Sequence, residues 1–261
     1  MRSALIPPIP DLERFTGSRK FHMLLAQHCD DARYLEFYRA RAADAYTILD
    51  NGADEQDALN MERVLELACK VGASEIIVPD VQQDDWATLV QGERSFAYLM
   101  TSGQQLYEQA GKPRLMIVPQ GTNAWEWETC LAGLLTRAER VERLFHIRPP
   151  VIGVSKNHDD VVRGGLRTLL AKLPAGYDVH LLGWPRRTIA LLELAHEFPW
   201  IRSVDSARPF TYGMRGEYIS NGLARSLPTE HDYFHTAIPD DRVDFVQDNI
   251  RTFDAYSRGV A

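Results

Sequence analysis

Five polar side chains stand at the ends of short apolar runs in this chain. They are Asp50 after YTIL (46–49), Asp80 after SEIIVP (74–79), Gln120 after RLMIVP (114–119), Asn157 after PPVIGVSK (149–156) and Asp205 after IRSV (201–204). In a closed parallel barrel, polar groups at the C-terminal ends of strands converge on one mouth, where such folds hold their chemistry. The spacing therefore predicts a site shared by Asp50, Asp80 and Asp205. Carboxylates brought together repel one another and lift at least one pKa, which costs stability unless function uses it. Two of them facing one sugar carbon suit displacement at an anomeric centre, where one attacks and the other moves protons. The third can accept hydrogen bonds from an N–H-rich ligand such as a purine, and Gln120 offers both a donor and an acceptor. Gly121 and Gly153 would let a flat ring approach the backbone closely.

Each acid also has a plain structural use. Asp50-Asn51-Gly52 is good turn chemistry, because Asx side chains bond nearby backbone and glycine takes positive φ. Asp80 could cap a following helix, and Asp205 could pair with Arg208. His158, before Asp159-Asp160, reads as part of a helix cap. Trp125, Trp127 and Trp184 follow strand tips, where they would either stack on a base or seal contacts between helices and barrel.

These residues need elements to position them. Further apolar runs are FHMLLAQH (21–28) and VHLLGWP (179–185). Strand starts near 21, 45, 74, 114, 149, 178 and 201 are spaced by 23 to 40 residues, the spacing of strand–helix units and not of hairpins. Helical patterns fall between them at 55–71, 94–110, 125–145, 159–173 and 186–198, with an amphipathic tail at 239–257. Asp54 is placed to cap the first helix, and Gly72 follows its end. The eighth strand falls either within SALIPPI, near the N-terminus, or within 209–219. No glycine-rich phosphate loop follows a first strand, which disfavours an open doubly wound sheet. The expectation is one domain over 1–261, an α/β chain folded as a single (β/α)8 TIM-type barrel without a zinc subdomain.

The length of 261 residues is usual for such a barrel, and 45% hydrophobic with 25% charged residues is ordinary for a globular protein. No apolar run reaches the length of a membrane span, and no signal-peptide pattern opens the chain, so a cytoplasmic location with no membrane partner is expected. Cys29, Cys69 and Cys130 form no Cys-x-x-Cys pair, so neither a zinc knuckle nor a disulfide framework is supported. Cys69 and Cys130 lie in helical patterns and are expected in the core. A net charge of −7 argues against a broadly basic surface. Arg202, Arg208, Arg215 and Arg225 nonetheless fall within 24 residues, as a local patch or a solvated face.

The ordered set Leu49-Asp50-Asn51-Gly52, Val78-Pro79-Asp80, Ile117-Val118-Pro119-Gln120-Gly121, Ile152-Gly153-Val154, Leu181-Leu182-Gly183 and Val204-Asp205-Ser206 resembles the queuine/archaeosine tRNA-guanine transglycosylase family. The likeness runs from about 45 to 210, and order and spacing carry it, since each motif is short. It implies that Asp205 attacks C1′ of the nucleotide and that Asp50 transfers protons. Asp80 would hold the heterocycle, and Gln120, Gly121, Gly153 and Asn51 would complete the base pocket. No cofactor and no metal are implied.

The departures are specific. The tRNA enzymes carry a Cys-x-Cys-x-x-Cys…His zinc site after the nucleophile, whereas no cysteine follows Cys130 here. Ala53-Asp54-Glu55 replace the second Gly, Phe and Gln of the family's first motif. The chain is also shorter than those enzymes. It thereby looks like the compact phage-encoded DNA 7-deazaguanine transglycosylases, which exchange guanine in DNA. That likeness implies DNA and a free 7-deazaguanine base (such as 7-cyano-7-deazaguanine) as partners, with a helper protein to open the duplex as a further one. Arg208, Tyr212 and Arg215, in the segment after the implied nucleophile, would form a DNA-contacting loop. The alternatives are the same exchange on tRNA, a catalytically inactive barrel that binds nucleic acid, and an unrelated barrel glycosidase or metal-dependent lyase.

Overall fold

A computed structural model of the chain describes residues 1–53, 59–158, 165–183, 188–219 and 232–260. The strands are β1 (Arg2–Leu5), β2 (Phe21–Leu24), β3 (Tyr46–Leu49), β4 (Glu75–Ile77), β5 (Arg114–Ile117), β6 (Val151–Ser155), β7 (Asp178–Leu182) and β8 (Ser203–Ser206). They form one eight-stranded sheet in the order β1-β8-β7-β6-β5-β4-β3-β2. The pairings of β1 with β8, β3 with β4, β4 with β5, β5 with β6, and β7 with β8 are all parallel. With helices alternating between strands, this is the (β/α)8 TIM-type barrel fold. By packing, the chain divides into two compact units, one of Met1–His22 with His180–Ala261 and the other of Met23–Val179.

The eighth strand is the first in the chain. Arg2, Ser3, Ala4 and Leu5 lie in register with Ser203, Val204, Asp205 and Ser206. The strands read as continuous apolar runs because both faces are covered. Val151–Val154 and Glu75–Ile77 are buried throughout, as parallel strands under helices must be.

The helices are α1 (Leu12–Thr16), α2 (Ala32–Arg39), α3 (Met61–Val71), α4 (Asp85–Met100), α5 (Gln104–Gln109), α6 (Ala124–Phe145), α7 (Gly165–Leu170), α8 (Thr188–Glu197), α9 (Arg208–Met214) and α10 (Val243–Ser257). In α3, Met61, Val64, Leu65, Ala68 and Val71 are buried at helical spacing. The helix is capped by Asn60, whose side chain accepts from the Arg63 amide at 2.9 Å. Asp54, the expected cap, lies outside the described residues. Cys69 is exposed, not in the core, because it falls on the outward face with Glu62 and Glu66. Cys130 is buried as expected.

The single helix expected over 94–110 is two. Asp84 caps α4 by accepting from the Ala87 amide at 2.8 Å. The helix then breaks at Thr101–Gly103, where a Cβ on Gly103 would come within 2.3 Å of the Tyr98 ring. The pattern at 125–145 corresponds to α6, the described part of that at 186–198 to α8 (186 and 187 lie outside the described residues), and the tail to a short 3-10 turn followed by α10. Of the pattern at 159–173, residues 159–164 lie outside the described residues.

The DNA-contacting loop expected after Asp205 is instead helical. Pro209 sits in the first turn of α9, where its missing N–H costs nothing. Phe210, Tyr212 and Gly213 are buried. A Cβ on Gly213 would meet the Val246 backbone at 2.8 Å, so α9 lies directly against α10.

Candidate functional site

Two clusters stand at the C-terminal ends of strands, one in each unit. In the Met23–Val179 unit the centre is Asp80, just beyond β4 and only 4% exposed. Its Oδ1 accepts from Asn51 Nδ2 at 2.7 Å and its Oδ2 from Gln120 Nε2 at 2.6 Å. Both amides are locked in that orientation from behind. Asn51 Oδ1 accepts from the Ala53 amide at 2.8 Å, and Gln120 Oε1 from the Gln83 amide at 3.1 Å. Asn51 Nδ2 also reaches the Val78 carbonyl at 3.1 Å. Gln83 adopts φ 59, which for a residue with a side chain costs about 1 kcal/mol. That conformation aims its N–H at Gln120.

The tips of β3, β4 and β5 are thus tied by one carboxylate. The structure brings together Asn51, Asp80 and Gln120, three of the residues expected to bind substrate. Charge-assisted bonds from the two amides orient the Asp80 carboxylate. Asp80 is not a helix cap, since Asp84 fills that place in α4.

Asp50 is half-buried beside this cluster. Its backbone N–H donates to Leu24 carbonyl at 2.9 Å, joining the tips of β2 and β3. Its Oδ1 accepts from the Asn51 amide at 2.9 Å, while the Asx turn of the segment is made by Asn51, whose Oδ1 takes the Ala53 amide two residues on. Just beyond β2, both carboxamide atoms of Gln27 are buried with no hydrogen-bond partner. Asn157 Nδ2 reaches Gln82 Oε1 at 3.4 Å, farther out.

Gly153 is buried in the middle of β6. Gly121, at φ 153, serves helix packing: a Cβ there would meet the Trp127 backbone nitrogen at 2.7 Å and the Glu126 Cβ at 2.8 Å. The first turn of α6 therefore occupies the space expected for a flat ring. Cys130 backs the same turn, its sulfur 3.5 Å from the Gln120 amide. Burial pushes its thiol up to about 12, so Cys130 is no nucleophile at neutral pH.

His158 is fully buried and its Nε2 donates to the Pro119 carbonyl at 3.2 Å. Its Nδ1 has no partner, and neither has the Nε1 of Trp127, whose ring lies 6.2 Å away, centroid to centroid. Burial pulls the imidazole down to about 4, from about 6.5 in an unfolded chain. Between those values the unfolded chain holds a proton that the folded one rejects. Stability is therefore full above about pH 6.5 and falls as pH drops toward 4, by about 1.4 kcal/mol per pH unit. Urea unfolding should show the protein losing about 2 kcal/mol more between pH 7 and pH 5 than the His158→Gln variant does. Equal losses would contradict the burial of a neutral imidazole.

In the other unit the centre is Asp205, on β8 and 3% exposed. Its Oδ1 accepts from the Gly183 amide at 3.0 Å and from His180 Nε2 at 3.1 Å. Gly183 sits at φ 66, a conformation that turns its N–H back toward β8 and that only glycine adopts cheaply. Among the described residues the second oxygen, Oδ2, receives no hydrogen bond. His180 is fully buried on β7, and its Nδ1 lies 2.8 Å from Ser203 Oγ. Arg202 Nε donates to the same oxygen at 3.1 Å. Asp205 thus takes His180 and Gly183 as partners, and not Arg208.

His180 and Ser203 were not among the expected site residues. The Arg208 guanidinium lies 5.9 Å over the Tyr212 ring, which is itself buried, while Arg215 is exposed. Arg225 and Trp184 lie outside the described residues. Trp125 is 72% exposed, whereas Trp127 is fully buried and seals α6. Among the described residues no group of three or more His, Cys, Asp and Glu side chains could hold a metal ion, and no helix is long and apolar enough to cross a membrane. No protein-family model matches the sequence, and no curated protein matches it.

Proposed function

We propose that this protein is a base-exchange transglycosylase that replaces guanine in DNA with a 7-deazaguanine derivative through a covalent aspartyl intermediate. The carrying observation is the asymmetric hold on Asp205. One oxygen is clamped by a backbone and an imidazole N–H, and the other has no donor among the described residues, as suits a carboxylate nucleophile. The resemblance in ordered motifs, the (β/α)8 fold and the strand-end acids add to it.

Asp205 Oδ2 bonds to C1′ of the target nucleotide as the C1′–N9 bond breaks, and guanine leaves with the bonding pair and with the proton of the Asp50 carboxyl group, which becomes a carboxylate. The incoming 7-deazaguanine gives its N9 proton to the Asp50 carboxylate, and N9 attacks C1′ to release Asp205. Two displacements retain the configuration at the sugar. Asp80, held by Asn51 and Gln120, accepts from the N–H edge of the heterocycle. A stacked base shields C1′, so the target nucleotide leaves the helix stack, with a helper protein opening the duplex where needed.

The test is exchange of radiolabelled guanine out of DNA and out of tRNA in the presence of 7-cyano-7-deazaguanine. Release from DNA alone is expected. Release from tRNA alone would move the activity to the other nucleic acid, and release from neither would overturn it.

A further inference from the structure

The network behind Asp205 extends past its two direct donors. In order it runs from Arg202 Nε to Ser203 Oγ, from Ser203 to His180 Nδ1, and from His180 Nε2 to Asp205 Oδ1, at 3.1, 2.8 and 3.1 Å. Strand register builds it. His180 on β7 is paired with Ser203 on β8, and Asp205 lies two residues further along β8, so Ser203 and Asp205 project to the same side. His180, Ser203 and Asp205 are all buried.

The direction of each bond follows from the inventory of donors. Arg202 can only donate, so Ser203 Oγ accepts from it. The hydroxyl hydrogen of Ser203 then has one acceptor at hand, His180 Nδ1. An unprotonated Nδ1 leaves the imidazole proton on Nε2, where Asp205 Oδ1 receives it. An imidazolium would have to donate from Nδ1 to Ser203 as well, stranding the serine hydroxyl without an acceptor at a fully buried site. The neutral Nε2–H tautomer is the one arrangement that satisfies every group.

We propose that His180 is the positioning residue of the nucleophile, its tautomer fixed by Ser203 and Arg202 so that Nε2–H holds Asp205 Oδ1 and leaves Oδ2 aimed for attack. This rests on Asp205 being the nucleophile. The hydrogen bond costs little mobility at the moment of reaction because all its members are already ordered. It also keeps Asp205 from rotating its second oxygen into a bond with the protein.

Nitrogen-15 NMR of the histidine-labelled protein, with His180→Gln used to assign the signal, reads the relay directly. The expected result is an unprotonated Nδ1 and a protonated Nε2, with the tautomer mixture broadened or reversed in Ser203→Ala. Exchange kinetics supply the second arm. His180→Leu should lower kcat by about 100-fold, the scale of removing one preorganised donor, with KM for DNA and for the deazaguanine base unchanged. His180→Gln, whose Nε2–H can stand near that of the imidazole, should recover most of the loss, and Ser203→Ala should fall between.

A protonated Nδ1 in the native protein would overturn the relay. So would a His180→Leu enzyme with native kcat, or one whose KM rises as much as kcat falls. If the native protein exchanges no guanine at all, the parent function fails and the positioning role falls with it. If the native protein exchanges guanine and His180→Leu does so equally well, only the relay fails.

Discussion

Asp205→Asn abolishes guanine exchange while leaving the thermal unfolding midpoint close to that of the native protein. Losing a covalent nucleophile costs on the order of 10⁴-fold or more in rate, because no neighbouring group replaces the bond it forms. The asparagine keeps a carbonyl oxygen where Oδ1 stood, so the Gly183 and His180 N–H groups retain their acceptor. Asp205→Ala is equally inactive but strands both donors in a buried place, at about 1–3 kcal/mol each. For a chain of this size that lowers the midpoint by roughly 2–4 °C per kcal/mol. The pair of variants separates chemistry from folding: activity falls alike in both, stability in one. Calorimetry and guanine release on the same preparations check it. Substantial turnover by Asp205→Asn would remove the carboxylate from the chemistry.

Asp80→Ala is expected to weaken binding of the free heterocycle by about 100-fold, the loss of a charged acceptor worth near 3 kcal/mol. It should also destabilise the fold. Gln120 Nε2 loses its acceptor, whereas Asn51 Nδ2 keeps the Val78 carbonyl. One buried orphan costs about 1–3 kcal/mol, so a drop of roughly 5 °C accompanies the loss of affinity. Titration calorimetry with 7-cyano-7-deazaguanine distinguishes the roles. A variant that unfolds earlier but binds the base as well as the native protein would make Asp80 a strand clamp and nothing more.

The strands and their tips were legible because buried parallel strands are continuous apolar runs and the polar residue that ends each run stands out. Asp50, Asp80, Gln120 and Asp205 were visible for that reason. β1 was ambiguous because Arg2 and Ser3, at its start, keep partial contact with solvent. The segment after Asp205 has the composition of a loop, yet its proline suits a first helical turn and Gly213 is required by the Val246 backbone. The break at Thr101–Gly103 depends on where the Tyr98 ring packs, which helical periodicity does not encode.

His180 was hidden for a different reason. It sits inside the apolar run DVHLL, and its meaning comes from pairing with Ser203, a relation set by register between strands more than twenty residues apart. Gly121 likewise looked like room for a ligand and proved to be room for α6. Glycine in a sequence marks a close approach without saying what approaches.

The most direct measurement is to mix the protein with guanine-containing DNA in the absence of a competing base, denature it, and map any nucleic acid that stays bound by peptide mass spectrometry. A deoxyribosyl ester on the Asp205 side chain, absent from Asp205→Asn, is the predicted result. Attachment at another residue, or brisk exchange with no trapped adduct, would contradict it.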